Sequence, residues 1–160
     1  MFKHLVSAIV FILVLVLFYN ELSTESPYSA DKVTELREQA VKWAKAGEYE
    51  RAISSLEKLH AAFPNDQHVF GDYLILLIQS GQEDHALSLA KQKGFDAIPV
   101  YAYKDLFESA LKQKDDDFAR HLAEREIQLS EDAAEVAINR AASFSENGYE
   151  EQAINLLAYA

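Results

Sequence analysis

The chain has 160 residues, long enough for one domain with its own hydrophobic core. Apolar residues make up 49% of it and the formal net charge is −11, a balance that repels nucleic acid because phosphate binding needs clustered Lys and Arg. The absence of cysteine excludes a disulfide framework, a thiolate zinc site, a cysteine nucleophile and a lipid-modified cysteine anchor.

At the N-terminus, residues 5–19 read LVSAIVFILVLVLFY and carry no charge. Lys3 precedes this run, and Glu21, Glu25 and Asp31 follow it. A short positive start, an apolar stretch and a polar exit form the layout of a secretory signal. The run is shorter than the roughly 20 apolar residues of a spanning helix. The small-residue sites after it, Thr24/Ser26 and Ser29-Ala30, do not make a clean cleavage motif. Residues 1–22 are therefore expected to be a signal peptide or a membrane anchor. Either role carries the rest of the chain across the membrane, because Lys3 favours the cytoplasmic side. Residues 23–32, polar and containing Pro27, are expected to be a linker.

Beyond the linker the chain repeats itself. AKAGEYERAISSL (44–56), IQSGQEDHALSLA (78–90), LKQKDDDFARHLA (111–123) and SENGYEEQAINLL (145–157) align. Ala52, Ala86, Ala119 and Ala153 mark a period of about 34 residues. Gly47, Gly81 and Gly148 follow the same ruler, with Lys114 in the third place. Each unit reads as two helices around a turn. Leu36, Ala40 and Trp43 share one face, and Gly47 supplies the left-handed conformation that ends the helix. Ala52, Leu56 and Leu59 form the stripe of the second helix, which Pro64 and Asn65 stop. A small Ala five residues after the glycine lets the two helices approach. One hairpin cannot bury its apolar stripe alone, so stacking the next hairpin must do it.

These residues resemble the tetratricopeptide repeat family. Trp43, Gly47, Tyr49, Ala52, Leu56 and Pro64 occupy signature positions in the first unit (33–66). The second (67–99) keeps Tyr73, Gly81 and Ala86. The third (100–132) keeps Tyr103, Leu106 and Ala119 without the glycine, which makes it the weakest match. The fourth (133–160) keeps Ala137, Ala141, Phe144, Gly148 and Ala153 and is shorter than a full period. The resemblance implies an all-α fold: a right-handed α-solenoid of about four helical hairpins over 33–160, preceded by the apolar segment. Because solenoids need a polar cap for solubility, the short last unit is expected to expose Phe144, Ile154 and Leu157.

Two longer stretches, 37–66 and 70–90, with Asp72-Tyr73-Leu74 followed by Gly81, are similar to the N-terminal periplasmic repeats of bacterial poly-N-acetylglucosamine export porins. That resemblance implies a periplasmic, non-enzymatic module that docks a processing enzyme or the polymer in transit. No barrel-type strand pattern accompanies it. The alternative is an inner-membrane-anchored repeat scaffold for protein clients or an envelope complex.

Sequence patterns for chemistry are sparse. The five histidines (His4, His60, His68, His85, His121) contain no i, i+4 pair, and no cofactor or metal is expected. Asp115-Asp116-Asp117 lacks the glycine and terminal Glu of a calcium loop and reads as a helix-capping turn. The recurring aromatics read as core. In the resembled architecture the first helix of each hairpin lines a concave groove. This places Arg37, Glu38, Val41 and Lys45 there from the first unit, and His68, Asp72 and Ile75 from the second. The third contributes Tyr101, Lys104, Asp105 and Glu108, and the fourth Glu135, Asn139 and Glu146. The Lys/Asn clamp that some such proteins use to hold a C-terminal carboxylate is replaced by Val41, Gly71 and Ile75. The groove's acidic half suits a cationic polysaccharide or a protein partner.

Overall fold

A computed structural model describes residues 29–160. The expected signal or anchor segment, and the linker before Ser29, lie outside the described residues. Among those described, the fold is all-α, with eight helices and no strand. They are α1 (Ala30–Lys45), α2 (Tyr49–Ala62), α3 (Gln67–Gln79), α4 (Glu83–Lys93), α5 (Tyr103–Lys112), α6 (Asp116–Leu129), α7 (Ala133–Glu146) and α8 (Glu150–Tyr159). No described helix is long and apolar enough to cross a membrane.

Local chemistry sets the helix starts. The side chain of Ser29 accepts from the Lys32 backbone N–H, so α1 begins at Ala30, inside the segment expected to be linker. Asp66 accepts from the N–H groups of His68 and Val69 to start α3. Asp132 accepts from that of Glu135 to start α7. Asp115 caps α6 through Phe118 N–H, so the triple-Asp run is the helix-capping turn its sequence suggests.

The turn inside each pair repeats in detail. Gly47, Gly81 and Gly148 have φ of 81°, 82° and 84°, and Lys114, in the glycine's place, has φ 60°. Four equivalent bonds close these turns: Glu48 N–H to Trp43 C=O, Gln82 to Leu77, Asp115 to Ala110 and Tyr149 to Phe144, each at 2.8–2.9 Å. This is the 6→1 bond of a Schellman ending, in which a left-handed residue lets the chain reverse while satisfying a terminal carbonyl. The third unit, the weakest in sequence, makes the same turn.

The helices pack in chain order, α1 on α2, α2 on α3, and so on to α7 on α8, with α1–α3, α3–α5 and α6–α8 contacts across pairs. The turn-following alanines Ala52, Ala86, Ala119 and Ala153 are all buried where a larger side chain would separate the helices. Phe70, Tyr103, Phe107 and Phe144 are the largest fully buried side chains. Phe107 meets Phe144 edge-on at 5.2 Å, joining α5 to α7. The burial of Phe144 corrects the expectation that it would be exposed: the ring points back into the stack. Ile154 and Leu157 are exposed as expected. Trp43 is half-buried, with the Arg51 guanidinium 4.1 Å over its ring.

One connection breaks the pattern. After α4, Gly94 turns at φ 82° and two 3-10 turns follow, Phe95–Ala97 and Val100–Ala102, before α5 starts at Tyr103. Tyr101, expected on a first helix, sits on this strap instead.

Candidate functional site

Ten of the expected groove residues fall into two clefts between the first helices of successive pairs, and Arg37, Glu38, His68 and Asp105 do not line them. In the first, α1 contributes Val41, Ala44 and Lys45, and α3 contributes Asp72, Ile75 and Leu76, with Tyr101 reaching over from the strap. This cleft holds about 570 Å³ and its lining is mainly apolar.

A polar network stands at its rim. Arg37 Nε and Nη2 both lie 2.8 Å from Asp72 Oδ2. The Tyr101 hydroxyl donates to Asp72 Oδ1 at 2.9 Å and lies 3.1 Å from the His68 carbonyl oxygen. The rings of His68 and Tyr101 stack at 6.1 Å, almost parallel. Burial, then the Asp72 carboxylate, pushes the Tyr101 phenol above its ordinary range, so the phenol stays a hydrogen-bond donor at physiological pH. Gly71 makes this arrangement possible. A Cβ on it would lie 2.3 Å from Pro99 Cγ and 2.8 Å from the Tyr101 hydroxyl. Sequence reasoning treated Gly71 as a lost clamp residue and missed this role; the signal was a glycine inside an otherwise apolar helix.

The second cleft, about 680 Å³, lies between α5 and α7 with the end of α6 as its wall. Lys104, Glu108, Glu135, Asn139 and Glu146 line it as expected, joined by Glu126 and Asp132. Arg140, absent from the expected set, is buried at its base. It donates to both oxygens of Glu126 at 2.8 and 2.9 Å, lies 3.8 Å from Glu108, and sits 4.9 Å from the Phe107 ring centre. This bidentate, stacked placement suits a guanidinium and pairs a buried charge that would otherwise be costly. With Glu126 and Glu108 beside Arg140, the carboxylates Asp132, Glu135 and Glu146 share the lining with Lys104, its other cation.

Glu38 is exposed and Asp105 half-buried; neither lines a cleft. Among the described residues no cluster of three or more His, Asp or Glu is placed to hold a metal ion. The imidazole of His60 stacks on Phe70 at 5.0 Å, and that of His85 meets Tyr73 edge-on. Compared with protein-family models and with curated proteins, the chain matches none.

Proposed function

We propose that this chain is a non-enzymatic binding module of the tetratricopeptide kind, a right-handed solenoid of four hairpins whose first helices present a groove to an extended, cationic partner. The observation that carries this reading is the cleft between α5 and α7, where five carboxylates outnumber two cations, Lys104 and Arg140, in a space of about 680 Å³. Long-range attraction into such a site favours amine-bearing chains and weakens with salt. A partly deacetylated glucosamine polymer has this chemistry, in keeping with the similarity of residues 37–66 and 70–90 to polysaccharide export repeats. In this reading the N-terminal segment directs the chain to the cell envelope, and the repeats work in the periplasm within an exopolysaccharide export and biofilm system.

Calorimetric titration of the full chain with glucosamine oligomers tests the reading. Partly deacetylated oligomers bind at low salt and fully acetylated ones do not, and the combined Glu108→Gln, Glu135→Gln and Glu146→Gln changes abolish the difference. Equal or absent binding of both oligomers would refute the polysaccharide role. A second reading, an anchored scaffold for protein clients, is favoured by the apolar cleft around Val41, Ile75 and Tyr101, which fits a hydrocarbon side chain better than a sugar.

A further inference from the structure

The four hairpins share one register, anchored on Ala52, Ala86, Ala119 and Ala153, so each side chain has counterparts in the other units. Leu157 corresponds to Leu56, Ala90 and Ala123. Those three are 0% exposed, whereas Leu157 is 52% exposed. Ile154 corresponds to Ile53, Leu87 and Arg120, which are buried or half-buried, yet it is 68% exposed. The opposite end shows the converse. Leu36 corresponds to Phe70, Tyr103 and Ala137, and Trp43 to Leu77, Ala110 and Phe144. All six counterparts are buried, while Leu36 and Trp43 are only half-buried and line an open cleft with Arg51 and Lys58. The first and last described hairpins thus carry the two halves of the interface that the hairpins make with one another.

Charges match in the same register. Lys112 reaches back to pair with Glu83 of the preceding hairpin, and Gln152 reaches back to Asp116 at 2.7 Å. Glu83, Asp116 and Glu150 are equivalent positions. The counterparts of Lys112 and Gln152 in the first hairpin are Lys45 and Arg51, both cationic. If the stack continued into another molecule, both would meet an exposed Glu150.

We propose that copies of this chain associate head to tail, the α1–α2 end of one seated on the α7–α8 end of the next. Leu36 and Trp43 then cover Ile154 and Leu157, and Lys45 and Arg51 converge on Glu150. The interface is heterologous, so it repeats into open-ended stacks rather than closing as a symmetric dimer. It would also run the groove of one molecule into that of the next.

A third register pair supplies the test. Lys91 pairs with Asp115 of the following hairpin; their counterparts at the junction between copies are Ala158 and Glu48. Because the chain has no cysteine, Ala158→Cys and Glu48→Cys versions of the full chain, held in detergent, can be mixed and treated with a short thiol crosslinker. The mixture gives crosslinked dimers, neither version alone does, and a chain carrying both changes gives a ladder. Leu157→Glu, checked for folding by circular dichroism, removes the mixed product. Glu150→Arg reduces it several-fold, and adding Lys45→Glu with Arg51→Glu restores it. Ala158→Cys crosslinking to itself as well as to the mixture would show a tail-to-tail dimer and overturn the proposal. So would no mixed product at high micromolar concentration, or a mixed yield unmoved by Leu157→Glu.

Discussion

Lys114 adopts φ 60° at the turn where three other hairpins place glycine. A Cβ in this left-handed region costs about 1–2 kcal/mol. Glycine relieves that strain but adds freedom to the unfolded chain, so the net gain is smaller. Lys114→Gly should therefore stabilise the fold by about 1 kcal/mol, visible as a raised urea midpoint with an unchanged slope. His60 makes the opposite kind of case. Burial, then the nearby Lys93 charge, lowers its imidazole pKa below the ordinary value of 6.5. The unfolded chain therefore binds a proton more readily than the native one, and stability rises with pH through this window. Stability should fall as pH drops below about 6.5. His60→Phe keeps the stack on Phe70 and should flatten this part of a melting-temperature curve between pH 8 and 5.

At the scale of elements, the strap between α4 and α5 is what differs from a regular repeat. It brings Pro99 and Tyr101 onto α3, and the missing side chain of Gly71 leaves room for them. Gly71→Ala trades a small gain in helix propensity for a Cβ 2.3 Å from Pro99 Cγ. Such overpacking costs about 1–3 kcal/mol and should lift Tyr101 off Asp72. A fall in stability accompanied by loss of the NMR cross-peaks between the stacked Tyr101 and His68 rings checks both consequences. If stability falls while those cross-peaks persist, Gly71 is a packing residue alone. The strap was not legible in the sequence. Gly94 and Pro99 mark a break there, but that Tyr101 crosses to Asp72 depends on which groups the fold brings within reach. The repeat turns were legible because each depends on a few adjacent residues, and Lys114 shows that the turn tolerates losing its glycine.

For the whole molecule, each helix pair packs on itself and on the next pair in the chain, and stability in such a serial arrangement is close to a sum of unit and interface terms. Among the described helices α8 buries the fewest residues, only Ala153 and Leu156, and α3 and α5 bury the most. At a concentration too low for copies to associate, amide exchange measured by mass spectrometry should therefore be fastest in α8 and slowest in α3 and α5; uniform protection would mean that the helices open as one unit. The all-α class, the period, the turn positions and the buried alanines were legible in the sequence, because helix stripes and helix endings are short-range patterns. Part of the lining of both clefts was legible there too, from Val41 and Ile75 to Glu135 and Asn139, while Tyr49, Glu126 and Arg140 come from outside the expected set. The division of the lining residues into an apolar and an acidic cleft comes from the packing of the helices. The same packing placed Arg140 among the acids and turned Phe144 inward. These outcomes are set by residues far apart in the chain, whose charges and volumes act on one another only after the helices have packed.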